Sequence, residues 1–592
     1  MNGCRLYWRR LFKREPLYLK PTQSPLDLSY PILSACIIII IIIIIIIIMN
    51  SSATWNTTNA YESVSIGLDD SQLLGKWAYY LGVPVVTTAL WGVWNYVLRL
   101  LLLRRWYEKQ GINFVDNCYA VVGAEMRVTK LQEENKSHDW LYMERPTNLY
   151  GTLRGLTLQL YTTNAKLCSD LVSKTGKQVD RNTPALHSVG RLSPSAIPFQ
   201  SMHKLRFKER KANLTKSTKD NKRLFDIVEH HANASLNDLK VRDSSSWRLD
   251  VRKLLEHWTR STSGEFVWGK ANIDRFLEVE ETDGVVRTLP FMVVLNQTFT
   301  ELRFYSSRFW NRVCFPLAGM PLTKEARRLN RNINILRDVC TDMMNHPEEG
   351  TVAALLQEIN ESQDMREVFT LDDLITATFA GLDAVKSTVM GCIYHLLNPD
   401  NAQWRKAILE ELNSLEGQSG DMDIKLMQAP ILNSFMWESL RFEPPGSLIN
   451  NAAVKDFELN YQGHTYKIKA GTRIVTSIHA LHQNEESWRE IAVDMSPLSE
   501  FDPGRFLKYG DKLLGSSCFM PFGKGPRRCP GQAAGALMVK TFLKVFIQKD
   551  LNCRMDLPEN QTKDSLRFHV YSKATFDILF DEKEDPETIT TK

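Results

Sequence analysis

The stretch Phe519–Gly535, FMPFGKGPRRCPGQAAG, constrains this chain more than any other. At its centre is Cys529, with Gly523 and Gly525 ahead of it, Arg527 and Arg528 directly before it, and Pro530 and Gly531 after it. The following residues, AAGALMVKTFLKVFIQ, set apolar side chains in helical rows at Ala533, Ala536, Leu537, Phe542 and Phe546. A cysteine just ahead of a helix meets unpaired backbone N–H groups and the positive end of the dipole, which favour a thiolate. The glycines let the preceding loop fold tightly and let a flat partner approach its backbone. Arg527 is placed to meet an anion on that partner. A thiolate, a flat partner and an anionic rim together point to haem, with iron on sulfur and a propionate on arginine.

The residues FGKGPRRCPG resemble the haem-binding loop of the cytochrome P-450 family, Phe-Gly-x-Gly-x-Arg-x-Cys-x-Gly, at every fixed position. A Glu-x-x-Arg segment and a Pro-x-x-Phe segment lie upstream in the family's order. The resemblance runs roughly from Arg104 to Phe580 and is strongest from Leu371 onward. It implies a mainly α fold with small β-sheets and a haem-thiolate catalytic domain over 104–580. It also implies haem b as cofactor, Cys529 as the iron ligand, and Phe522, Gly525, Arg527 and Gly531 as the cofactor's cradle. The last residues, 581–592, are polar and acidic and are expected to be disordered.

A hydrophobic content of 43% in 592 residues supports a large core, and a formal net charge of +5 is too small to suggest a nucleic-acid partner. The 10 cysteines are scattered, with neither CxxC nor zinc-finger spacing. All but Cys529 read as free thiols in a reducing compartment.

The N-terminus is organised differently. Residues 1–31 form a basic tail with Arg5, Arg9, Arg10, Lys13 and Arg14. Residues 32–49 are apolar and contain the isoleucine run Ile37–Ile48. They just reach the ~20 residues a bilayer span needs, although a low-complexity tract is the competing reading. A second apolar stretch, 77–103, carries interfacial aromatics and ends at Arg104 and Arg105. Basic residues stay cytoplasmic, so two spans would leave 50–76 lumenal, with glycosylation sequons at Asn50 and Asn56. The expectation is a transmembrane anchor in the endoplasmic reticulum membrane with the catalytic domain in the cytosol.

Thr370 and the acids of TLDD read as the start of a long helix that Asn398-Pro399 stops. Within it, Ala380-Gly381-Leu382-Asp383-Ala384 resembles the family's oxygen-binding motif. Room beside the iron calls for small residues, and a proton relay calls for an acid and a hydroxyl. The resemblance assigns Gly381 and Asp383 these roles. It puts Ala384 where the family has threonine, with Thr388 one turn on as a substitute hydroxyl.

Glu438 and Arg441 share a helix face. The resemblance implies that they are buried with Arg505 as a structural brace for the cysteine loop. The segment FELNYQGHTYKIKAGTRIVTS reads as small strands. The basic stretch 203–223 is expected to be helical. By resemblance Arg210 would reach a propionate, with His203 as a weaker candidate, whereas Asn450 and Asn451 stand where a second propionate arginine is usual. The stretch also suggests a docking face for an acidic partner.

The leading functional expectation is a monooxygenase of secondary metabolism acting on a lipophilic small molecule. Its electrons would come from a separate NADPH-cytochrome P-450 reductase, with cytochrome b5 as an additional donor. The missing hydroxyl at 384 keeps a haem-thiolate isomerase or dehydratase in play. A haem-binding membrane protein without turnover is the non-enzymatic alternative.

Overall fold

In the computed structural model, the described residues are chiefly 90–115, 147–154, 157–181, 189–237, 247–308 and 320–549, with short pieces up to 580. The chain divides into two compact units, Met1–Val97 with Cys118–Val121, and Leu98–Asn117 with Val122–Lys592. Residues 32–49, and 77–103 up to about residue 89, lie outside the described part, as do the sequons at Asn50 and Asn56 and the tail 581–592. Among the described residues no helix is long and apolar enough to cross a membrane. In the first unit, Leu90, Trp91 and Trp94 are exposed.

The second unit is mainly helical with small sheets. Its axis is the helix Glu367–Leu397, 31 residues long and buried over most of its length. The helix begins before Thr370, and the expected cap is not formed there. The Thr370 hydroxyl instead accepts from Asn360 at 2.8 Å. The acids of TLDD are used across elements: Asp372 binds Ser195 and Arg337, and Asp373 binds Arg210. Cross-links of buried acids have replaced local capping.

Of the helices packed on this axis, four bear on the site. Val251–Trp268 packs along it, and Trp268 donates to Thr378 at 2.9 Å. Gln532–Gln548 and Pro430–Phe442 cover another side, and Phe291–Ser307 a further one. Each has an apolar face buried in one continuous core that includes Trp258, Leu374, Phe435 and Phe542.

A six-stranded sheet lies beside the helices. Its strand order is Asn113–Phe114, Leu149–Leu153, Leu158–Thr162, Arg473–Ser477, Leu448–Ala453 and Val179–Asp180. Phe457–Tyr461 and His464–Ile468 form a hairpin whose buried positions alternate along the first strand. The strands expected over 457–477 therefore form, and strand Arg473–Ser477 leads directly into the short helix Ile478–His482.

Candidate active site

The loop around Cys529 is closed by its own backbone. The Cys529 N–H donates to Phe522 O at 2.9 Å, and the Gly523 N–H to Met520 O at 2.9 Å. Gly523 and Gly525 have φ of +69° and +67°, a region costly for other residues. A Cβ on Gly525 would stand 2.7 Å from Val172 Cγ1, so glycine also permits the close approach to helix Ala165–Lys174. Gly531 occupies the N-cap position of Gln532–Gln548.

Cys529 has exposed surface, yet burial pushes its thiol pKa up. The Gly531 N–H, Lys211 and Arg528 oppose the rise by favouring the thiolate.

Beside the sulfur lies a cationic corner. Arg527 is paired with Asp180, donates to Gln200 O at 2.6 Å and sits over the Phe207 ring at 4.7 Å. Arg181 adjoins it, and burial together with the Arg527 charge lowers its pKa to about 10. The Nε atoms of both arginines are buried without a hydrogen-bond partner among the described residues. The Asp180 carboxylate takes the Arg527 guanidinium and the Arg181 backbone N–H, which leaves both Nε donors unmatched among the described residues. Asn451 Oδ1, also buried and unpartnered among the described residues, is an acceptor and cannot serve an anion.

Arg210 does not join this corner. It is 1% exposed and its fork is used up: Nε donates to Asp373 at 2.8 Å, and other donors reach Leu205 O and Phe369 O. The neighbouring residue Lys211 takes the outward direction. Its Nζ donates to Pro526 O at 2.7 Å, and its charge is felt at Cys529. Sequence reasoning missed Lys211. The available signal was Phe207, four residues earlier on the same helix face, which underlies Arg527. His203 bonds Gly176 O and is not part of the corner.

The brace lies behind the loop. Glu438, Arg441 and Arg505 are at most 1% exposed. Glu438 receives Arg441 Nε and Nη2 at 2.8 Å each, Arg505 Nε at 3.1 Å and the Asp502 N–H at 2.9 Å. The remaining guanidinium donors reach the carbonyls of His482, Ser496, Pro497 and Glu500.

On the central helix, Ala377, Ala380, Gly381 and Ala384 keep accessible surface amid buried neighbours. Their spacing makes one stripe. Gly381 also lets helix Val251–Trp268 come close, since a Cβ there would lie 3.1 Å from Ser263 Oγ. Asp383 points elsewhere. Its carboxylate binds Arg303 at 2.7 Å and Lys386 at 2.9 Å, and Lys386 extends to Glu256 at 3.0 Å. Thr388 is buried, and its hydroxyl donates back to Ala384 O at 2.9 Å. That bond commits the hydroxyl proton of Thr388 to its own helix.

Two surface clefts flank the unit. One, about 490 Å³, is lined by Phe207, Lys208, Lys211, Lys216, Lys219 and Pro526, among others, on the outer side of the cysteine loop. The other, about 440 Å³, is bordered by Asp220, Arg223, Glu265 and Glu348 and contains none of the expected site residues.

Comparison with known proteins agrees with this geometry. Residues 119–579 match the family model described as Cytochrome P450. Probable cytochrome P450 28c1 of Drosophila melanogaster is 30% identical over 233 residues, 38% of this chain and 42% of that protein. A cytokinin hydroxylase of Arabidopsis thaliana is 28% identical over 236 residues, 38% of this chain and 43% of its own. Cytochrome P450 3A41 of Mus musculus is 26% identical over 344 residues, 55% of this chain and 64% of its own. The matched segments thus span less than half of the first two proteins.

Proposed function

The chain belongs to the cytochrome P450 family, whose members bind haem through a cysteine thiolate on iron, and from that premise we propose that it is a haem-thiolate monooxygenase. The reaction inserts one oxygen atom from O2 into a lipophilic small molecule, with electrons from a separate NADPH reductase. The observation that carries this reading is the setting of Cys529: a cysteine with exposed surface, just ahead of the helix Gln532–Gln548, with the Gly531 N–H, Lys211 and Arg528 favouring its thiolate. The orphaned Nε atoms of Arg181 and Arg527 suit the carboxylates of a haem, so the residues present fit the group.

When bound, thiolate-ligated haem supplies the activation of dioxygen. The protein's part falls to its own residues. Cys529 would hold the iron. Phe522, Gly525 and Gly531 would shape the cradle, and Arg527, Arg181 and Lys211 would take the propionate side. The stripe Ala377–Ala384 leaves room for oxygen and substrate. Asp383, held by Arg303 and Lys386, is the acid that would relay protons, by way of water. The chain Asp383–Lys386–Glu256 leads toward solvent, Glu256 being 28% exposed.

The basic cleft around Lys208, Lys211, Lys216 and Lys219 suits an acidic reductase, with cytochrome b5 as an additional donor. The apolar N-terminal residues suit an anchor in the endoplasmic reticulum membrane, with Asn50 and Asn56 on the lumenal side and the catalytic domain cytosolic. A role in secondary metabolism fits a lipophilic substrate. One observation favours a second reading: with Ala384 in place of a hydroxyl and Thr388 bonded to Ala384 O, an isomerase or dehydratase that needs no O2 gains ground. Turnover of a lipophilic substrate panel with co-expressed reductase separates the two. Strict dependence on NADPH and reductase supports the monooxygenase, and turnover without either refutes it.

A further inference from the structure

We propose that His482 is a positioning residue for the cysteine loop, linking the Glu438–Arg441 brace to the main chain that ends at the sulfur. His482 closes the short helix Ile478–His482 and is fully buried. Its Nε2 accepts from the Met520 N–H at 3.0 Å. The ring proton therefore sits on Nδ1, which faces the backbone of Leu440 and Arg441 without a well-aligned hydrogen bond. Arg441 in turn donates to His482 O at 3.4 Å. The imidazole is tilted against Phe519 at 5.0 Å, and Phe519 is itself enclosed by Trp437, Trp488 and Phe506.

From Met520 the linkage continues by backbone alone. Met520 O accepts from the Gly523 N–H, and Phe522 O accepts from the Cys529 N–H, both at 2.9 Å. One series of polar contacts thus leads from the buried carboxylate of Glu438 through Arg441, His482 and Met520 to the amide of the cysteine. Without the imidazole the Met520 N–H would be a buried donor with no acceptor from that side, the costly case for a hydrogen bond. The ring also stands between the brace helix and the loop's first residues, with Nδ1 toward Leu440 and Arg441 and Nε2 on the Met520 N–H.

The link to haem chemistry rests on the reading of Cys529 above, but the positioning itself does not. Hydrogen exchange by mass spectrometry on the full chain tests it, comparing wild type with His482→Leu and His482→Gln. The Leu variant removes the acceptor, and amides of 519–529 are expected to exchange about tenfold faster, the size of an unmet buried donor. Peptides from Pro430–Phe442 and Glu367–Leu397 are expected to keep wild-type rates. The Gln variant, with an acceptor at similar reach, is expected to restore the loop. The share of reduced, carbon-monoxide-treated protein showing the red-shifted band of a thiolate-ligated haem should follow the same order. If Leu does not accumulate as folded protein, His482→Asn takes its place, since its amide is too short to reach Met520. Wild-type exchange in the acceptor-free variant overturns the proposal. So does equal acceleration across all helices, which would make His482 a general packing residue. A loop-specific acceleration in protein whose wild type lacks the thiolate band would refute the haem reading alone.

Discussion

Replacing Glu438 by Gln keeps the shape of the brace and removes its only negative charge. In the native chain that carboxylate accepts from Arg441 twice at 2.8 Å, from Arg505 at 3.1 Å and from the Asp502 N–H at 2.9 Å. The Gln amide would turn an NH2 group toward a guanidinium and strip two buried cations of the carboxylate they share. Breaking a buried pair in this way costs about 3–5 kcal/mol. Unfolding entropy near 2.1 cal/mol/K per residue gives about 1 kcal/mol/K over the roughly 460 residues of the family span. The expected fall in Tm is therefore about 3–5 °C. Thermal unfolding followed by tryptophan fluorescence reads it, with haem content recorded on the same samples. Asp494→Asn, at an exposed Lys508 pair, serves as the control and should leave Tm unchanged. A Glu438→Gln Tm within 1 °C of wild type (about 1 kcal/mol) would refute the idea that these charges hold the loop in place.

Three further outcomes follow from the site. Ala384→Thr adds a hydroxyl to the open stripe and should shift the partition of electrons between product and peroxide; unchanged yields of both would remove position 384 from the oxygen pocket. Arg527→Met removes a cationic donor from the corner and should speed haem transfer to an acceptor apoprotein about tenfold or more, whereas an unchanged rate would argue that Arg527 serves only Asp180. The third concerns His395, which stacks on Phe501 at 3.9 Å. Burial first, and then the Arg441 charge, bring its pKa from 6.5 down to about 3. The unfolded chain therefore binds a proton that the folded chain refuses. That contribution is fully present above pH 6.5 and is lost as pH falls from there toward 3. Between pH 7 and 5 it amounts to about 2 kcal/mol. His395→Phe should flatten this part of the stability–pH curve, and an identical curve would contradict the burial argument.

What the sequence revealed depended on whether the pattern was local. The strands over 457–477 and the helix ending at Phe442 follow from alternation, glycine turns and the double proline. The spacing of Glu438 and Arg441 already places them on one helix face. Their meeting with Arg505 is a tertiary event that the resemblance, not the spacing, suggested. The basic stretch 203–223 misled because so many of its residues are cationic that charge gives no helix register. Burial decided it, turning Arg210 inward to Asp373 and Lys211 outward to Pro526. The TLDD start failed for a related reason. Local capping competed with Ser195, Arg337 and Arg210, which only the fold brings near. Arg181 and His482 carried no local signal, and Lys386 only its i,i+3 spacing to Asp383. Each gains meaning from a neighbour more than 30 residues away or from burial.

The central claim is that the sulfur of Cys529 holds a haem iron. The most direct measurement is the difference spectrum of the reduced full-length protein with carbon monoxide, taken beside Cys529→Ala. The account predicts the red-shifted band of a thiolate-ligated haem in the wild type and its loss in the variant, with haem bound weakly or not at all. A wild type without that band, or a Cys529→Ala protein that keeps both its haem and the band, would contradict it.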